Sequence, residues 1–129
     1  MNIGQASGES GVSAKMIRYY ESVGLIRPAS RTGSNYREFT DAEVNELRFI
    51  RRGRNLGFSV EEIARLLSLW RDRGRSSREV KAIAARHVAE LDARIEAMRD
   101  MADTLRDLAA ACAGDDRPDC PILKGLGRG

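Results

Sequence analysis

Two cysteines, Cys112 and Cys120, are the residues of this sequence whose type and spacing are best suited to chemistry. They lie eight positions apart near the C-terminal end, and the chain contains no other cysteine. The polar start of the sequence is unlike a signal peptide, so we expect a cytoplasmic protein. Because structural disulfides are rare in the reducing cytoplasm, two nearby thiols are better explained as a metal site or a redox pair.

The donor set around these cysteines favours a soft metal ion. Thiolates are soft ligands that select Cu(I), whereas a tetrahedral zinc site normally has four protein ligands. The one histidine, His87, is distant from both cysteines in the sequence. The three aspartates between the cysteines are more typical of a solvated loop than of hard metal ligands. Two sulfurs without a third donor suit linear binding of a monovalent ion.

Enzyme chemistry is disfavoured by the same residues. The cysteines do not form a C-x-x-C motif, and neither a Ser-His-Asp arrangement nor a pair of catalytic carboxylates is evident. We therefore expect a protein that is not an enzyme, against the alternative of a small thiol oxidoreductase. A regulator whose two thiols form a disulfide on oxidation is another alternative, which metal titration with and without reductant would separate.

Composition and charge suggest two halves with different partners. The chain has 129 residues, of which 42% are hydrophobic and 32% charged, which fits a small domain with a long appendage. No stretch approaches the ~20 apolar residues that span a bilayer, so a membrane partner is not expected. Residues 1–75 contain 13 Lys and Arg against 9 Asp and Glu, while residues 76–129 contain 9 against 10. The basic front half is expected to bind an anion and the back half to associate with itself.

The front half has the pattern of a DNA-binding fold. Residues 3–22 predict two short helices separated by a break at Gly11, which is a helix-turn-helix. The turn within residues 26–39 predicts a β-hairpin, or wing. Two further helices are expected after the capping-box patterns that begin at Thr40 and Ser59.

One hydrophobic repeat dominates the back half. Steps of four and three residues continue for five heptads, which predicts a helix of roughly 50 Å. Such a helix cannot bury its apolar stripe alone, so the pattern favours a coiled coil with a second copy of the chain. The positions of this seam are Ser77, Lys81, Ala84, Val88, Leu91, Ile95, Met98, Ala102, Leu105, Ala109 and Cys112.

A cluster of basic and aromatic residues predicts the nucleic-acid contacts. Lys15, Arg18 and Tyr19 share one helix face by their i, i+3, i+4 spacing, so they can enter a groove together. Arg18 can donate two hydrogen bonds to a guanine or bind a phosphate. The predicted contacts with double-stranded DNA are Lys15, Arg18, Tyr19 and Tyr20 in the helix and Arg31, Asn35, Tyr36 and Arg37 in the wing.

Four segments of the sequence form a recognisable set: Ile17-Arg-Tyr-Tyr-Glu21, Gly24-Leu-Ile-Arg27, Asn35-Tyr-Arg37 and Leu56-Gly-Phe-Ser59. They resemble the MerR family of transcription regulators, and the resemblance covers essentially the whole chain. It implies a mainly α fold with a winged helix-turn-helix domain, a long antiparallel coiled-coil dimerisation helix and a C-terminal metal-binding loop. We assign these parts to residues 1–75, 76–111 and 112–129.

The resemblance also implies a function. Members of this family are homodimeric activators that bind a promoter with an overlong spacer and distort it for RNA polymerase when the effector is bound. The two cysteines are similar to those of the copper-efflux-regulator branch, which bind a monovalent coinage-metal ion. The expected function is Cu(I)-responsive activation of metal efflux and detoxification genes. The alternatives are a gold-selective or general Cu(I)/Ag(I)/Au(I) sensor and the redox-responsive regulator.

An antiparallel dimer would bring further residues to the metal. In such a dimer, the residue numbers of two facing seam positions always add up to the same value. If the centre of the seam lies between residues 94 and 95, Ser77 of one chain faces Cys112 of the other. Two thiolates holding a monovalent cation keep one negative charge, which is costly to bury unless it is offset. The candidate offsets are the start of a short helix at Pro121 and the side chain of Lys81. The alternative role of Lys81 is that of a polar seam residue that fixes the register of the dimer.

Overall fold

The computed structural model describes residues 1–28, 30–31 and 37–127, with only the backbone described at Ser30 and Arg31. The chain divides into two compact units, Met1–Ile83 and Ala84–Gly129. No described helix is both long and apolar enough to cross a membrane. The elements, in chain order, are α1 (Ile3–Ser10), α2 (Ala14–Ser22), β1 (Ser30–Arg31), β2 (Arg37–Glu38), α3 (Asp41–Asn55), α4 (Val60–Arg71), α5 (Ser77–Ala111) and α6 (Pro121–Gly127).

The predicted helix-turn-helix is confirmed, and its capping residues explain its bounds. The side chains of Asn2 and Gln5 cap the start of α1 reciprocally. Gly11 ends α1 with a φ of 75°, a left-handed conformation that favours glycine. Ser13 then starts α2 by accepting a hydrogen bond from the backbone N–H of Met16. The break at Gly11 therefore fixes where the second helix begins.

The predicted wing is a two-stranded antiparallel hairpin in which Ser30 pairs with Glu38 and Arg31 with Arg37. Two of the predicted contacts on it, Asn35 and Tyr36, lie outside the described residues, as does the side chain of Arg31.

Helices α3 and α4 start at the predicted caps. Thr40 accepts a hydrogen bond from the N–H of Glu43, and Ser59 and Glu62 form a full capping box.

One apolar core positions α2 in the first unit. Each fully buried aliphatic side chain in this core contributes about 1.5–3 kcal/mol. The core joins the first four helices and both ends of the wing region through Ala6, Val12, Ile17, Tyr20, Leu25, Ile26, Phe39, Val44, Leu47, Ile50, Ile63 and Leu67.

The long helix α5 follows the predicted seam closely. It has 35 residues, which at about 1.5 Å per residue gives the expected length of roughly 50 Å. Large apolar seam residues, including Val88, Ile95, Met98 and Leu105, are exposed in the single chain. Met98, for example, has 64% of its surface exposed. A row of this kind on a soluble helix marks an interaction surface.

The short helix α6 packs closely on the end of α5. It begins at Pro121, where a proline fits because the first helical N–H needs no partner within the helix. A Cβ on Gly125 would come within 2.7 Å of Cδ2 of Leu108, so a larger residue there would displace the Leu108 side chain. Within the second unit, α6 therefore lies against the end of α5, next to the cysteines.

Candidate DNA interface and metal centre

The exposed face of α2 carries three of the predicted DNA contacts. Lys15, Arg18 and Tyr19 are all exposed, and Tyr19 keeps 46% of its surface. The opposite face, which includes Ile17, is buried in the core. Two cations and a phenol therefore share the free face of the second helix, as the spacing predicts, and their contact with a DNA groove stays a prediction.

Tyr20 belongs to the core and does not share the exposed face of α2, and its predicted contact with DNA stays a prediction. Only 4% of its surface is exposed. Ile17 and Tyr20, three positions apart, lie on the buried face of α2, whereas Tyr19 lies on its exposed face. Their rings lie 5.8 Å apart between centroids, and the buried ring supports the exposed one.

Arg37 makes an ion pair within the protein. Its Nη1 lies 3.3 Å from Oε1 of Glu21, a residue of α2 whose side chain is only 9% exposed. This pair connects strand β2 to the end of the helix that carries Arg18. Arg37 thereby positions the wing, and its contact with DNA stays a prediction.

A second basic surface, which was not predicted from the sequence, lies on α3. Arg48, Arg51, Arg52 and Arg54 are exposed there. Within the described part of the chain, Arg48 is the member of this group that forms an ion pair. The closely spaced arginines between positions 48 and 54 are visible in the sequence, and this run was the signal that could have identified the surface.

The two cysteines meet at the joint between α5 and α6. Cys112 follows the last residue of α5 and Cys120 precedes the first residue of α6. Their sulfurs lie 3.9 Å apart, and both thiols are free and half-buried. Metal–thiolate bonds of about 2.3 Å, the value for zinc, would separate the sulfurs of a linear site by about 4.6 Å. A small opening of the pair is therefore enough to admit one ion.

The start of α6 stabilises a thiolate at Cys120. Its sulfur is favoured in the charged form by the backbone N–H groups of Leu123 and Ile122 and by the thiol of Cys112, whose sulfur lies 3.9 Å away. The amide of Leu123 has the largest effect, and together these donors lower the pKa of Cys120 although partial desolvation opposes them. The start of α6 therefore favours a charged sulfur at Cys120, as predicted from the sequence.

The acidic loop between the cysteines does not complete a harder site. Asp115 pairs with Arg117, whose Nη2 lies 2.8 Å from its Oδ2, and this interaction lowers the pKa of Asp115. Among residues 1–28 and 37–127, no histidine or carboxylate joins the two sulfurs to form a group of three ligands. Two thiolates without a third donor fit a soft monovalent ion.

Ser77 and Lys81 are exposed on the first turns of α5, whereas Cys112 follows its last residue. Because these positions lie at opposite ends of one helix, they reach the cysteines only when a second chain supplies them. Their role at the metal stays a prediction.

Comparisons with known proteins extend over the whole chain. A family model described as "MerR HTH family regulatory protein" matches residues 1–70, and one described as "MerR, DNA binding" matches residues 44–108. The chain is 60% identical to the HTH-type transcriptional regulator HmrR of Sinorhizobium medicae (strain WSM419) over 129 residues, which cover 100% of this chain and 88% of that protein. It is 40% identical over 126 residues to the HTH-type transcriptional regulator CueR of Escherichia coli O6:H1, covering 98% and 93% of the two chains. The crystal structure of the transcription regulator PbrR691 from Ralstonia metallidurans CH34 in complex with lead(II) superimposes with a TM-score of 0.86 at 29% identity, covering 98% of each chain.

Proposed function

The chain belongs to the MerR family of transcription regulators, and from this premise we propose that it is a Cu(I)-responsive activator of metal efflux and detoxification genes. Members of this family are DNA-binding regulators and not enzymes, and the relatives of this chain respond to heavy metals. The protein is thus a metal-responsive regulator, and the proposal concerns the metal, the dimer and the mechanism.

The arrangement of Cys112 and Cys120 is the single observation that carries the choice of metal. Two free sulfurs lie 3.9 Å apart without a third histidine or carboxylate ligand among the described residues. Ag(I) and Au(I) share the softness and charge of Cu(I), so they are the alternative effectors within the same proposal. The amides at the start of α6 offset the negative charge that a monovalent ion leaves on two thiolates.

A second copy of the chain is the proposed partner of the α5 seam. The exposed side chains of Val88, Ile95 and Met98 need a cover, and an antiparallel copy of the same helix supplies a matching row. In this dimer, Ser77 and Lys81 of one chain lie beside Cys112 of the other. The proposed division into a DNA-binding domain, a dimerisation helix and a metal-binding loop follows residues 1–75, 76–111 and 112–129.

The proposed mechanism links the helix ends to the promoter. Ligation of both sulfurs by one ion would join the end of α5 to the start of α6, because Cys112 and Cys120 flank these two ends. In the dimer, this joint lies at the interface, where it can favour one arrangement of the two subunits. The favoured arrangement would distort an overlong promoter spacer so that RNA polymerase reaches both of its elements.

Transcription from the cognate promoter against buffered free Cu(I), Ag(I), Au(I), Zn(II) and Hg(II) tests the proposal. We expect the monovalent ions to induce at lower free concentrations than the divalent ions, since two thiolates suit them better. Equal or stronger induction by Zn(II) would contradict the two-ligand site. Induction by an oxidant in the absence of metal would favour the redox-responsive alternative.

Replacing Arg18 with alanine should weaken promoter binding by about 1–3 kcal/mol if its guanidinium reads a base. The loss should fall mainly on the cognate duplex, because a phosphate contact would weaken binding to every sequence alike. Fluorescence anisotropy with cognate and scrambled duplexes measures both effects. Unchanged binding to both duplexes would remove Arg18 from the interface.

A further inference from the structure

A cleft of about 240 Å³ on the first unit has a basic lining outside the predicted DNA contacts. Arg48, Arg51, Arg52 and Asn55 of α3 line it together with Ser10, the last residue of α1. The lining contains no carboxylate. The cleft thus presents three guanidinium groups and one amide to a ligand.

Most of the positive charge in this cleft is uncompensated. Nη2 of Arg48 lies 3.2 Å from Oε2 of Glu9, and its Nε donates a hydrogen bond to the backbone carbonyl of the same residue. Arg51 and Arg52, one turn further along α3, have no ion pair within the part of the chain that the structure describes. Two guanidinium groups are therefore available for an anion.

Arg51 is held over the turn of the helix-turn-helix. A Cβ on Gly11 would lie 2.8 Å from Nη1 of Arg51, so the guanidinium rests directly on this turn and a side chain at position 11 would displace it. The φ of 75° at Gly11 independently favours glycine. The charge is consequently placed next to the residues that lead into α2.

We infer that this cleft binds a backbone phosphate of the same DNA duplex that α2 contacts. In helix-turn-helix proteins, the first residues of the second helix reach the base edges, and phosphate contacts around them fix the orientation of the protein. Arg51 lies beside the start of α2, and a guanidinium can donate two parallel hydrogen bonds to one phosphate. This inference does not depend on the metal and adds a contact to the DNA-binding half of the function.

The test measures DNA binding by the full chain at several salt concentrations. Arg51→Ala and Arg52→Ala should each weaken binding to cognate and scrambled duplexes by similar factors. Each lost phosphate contact should lower the slope of log K against log salt by about 0.9. Arg51→Lys should restore part of that slope, because it keeps the charge but not the paired donors.

Arg86→Ala is the matched control, since Arg86 is an exposed arginine of α5 outside the cleft. It removes the same charge and should leave the slope close to that of the unaltered protein. Thermal unfolding of each variant checks that the fold is kept. A slope in the Arg51 and Arg52 variants equal to that of the control would overturn the inference.

Two other outcomes would also overturn the inference, and each would indicate a different role for the cleft. A loss confined to the cognate duplex would mean that the cleft reads bases. Normal DNA binding with weaker transcription would mean that the cleft binds a protein surface, such as an acidic patch on the polymerase. If the inference is right, the ratio of induced to basal transcription stays unchanged once the DNA is fully occupied. This measurement distinguishes a failure of the phosphate contact from a failure of the metal proposal.

Discussion

Serine in place of Cys112 or Cys120 is expected to abolish the transcriptional response to Cu(I), while promoter binding stays within a few-fold of that of the unaltered protein. A hydroxyl is a hard, neutral donor at neutral pH and does not replace a soft thiolate. Changing a residue that only supports a ligand already costs 10–100-fold in metal affinity, so losing one of two ligands should cost more than about 100-fold. Induction curves against buffered Cu(I) measure the response, and anisotropy measures promoter binding.

Asp116→Asn is the matched control for these variants. It alters an exposed carboxylate of the same loop without changing a sulfur, so it should keep the induction curve. A serine variant that kept the curve of the unaltered protein would contradict the two-thiolate site. Loss of promoter binding in the serine variants would show that the cysteines also support the fold of the DNA-binding half.

The elements of this fold could be predicted because their causes are local. The start of α4 depends on Ser59 and Glu62, three positions apart, and the turn before α2 depends on the left-handed conformation at Gly11. The seam of α5 repeats every 3.5 residues on average over its whole length, so the pattern alone indicates a long helix. The proximity of Cys112 and Cys120 could be predicted for the same reason, since the cysteines flank one short loop.

The roles of several side chains could not be predicted because they depend on distant partners. Tyr19 and Tyr20 are adjacent and chemically equal, and only the packing of the core decides which of them is exposed. Arg37 meets Glu21 because the hairpin returns to α2, a contact that the sequence pattern does not encode. Arg51 lies over Gly11 through the packing of α3 on α1. Binding surfaces that combine separate helices therefore need the structure.

Ser77→Cys should give the protein a markedly higher affinity for Zn(II) or Hg(II), and the gain should require the dimer. Two thiolates suit a monovalent ion, whereas a third sulfur suits a divalent soft ion better. Within one chain, Ser77 starts α5 and Cys112 follows its end, so the third sulfur must come from the partner. Competition with a metal chelator of known affinity measures the binding. Transcription is a poorer readout, because an added ligand need not produce the change that activates the promoter.

Ser76→Cys is the matched control, because it adds the same thiol one residue before the seam, at the position that precedes the first residue of α5. In a Cys120→Ser background, mild oxidation should crosslink Cys112 of one chain to the new thiol in Ser77→Cys but much less in Ser76→Cys. A covalent dimer on a non-reducing gel reports this contact directly. If Ser77→Cys gave neither tighter divalent binding nor the crosslink, the antiparallel register would be wrong. The metal site would then lie within one subunit, and Lys81 of the partner would be too far away to offset its charge.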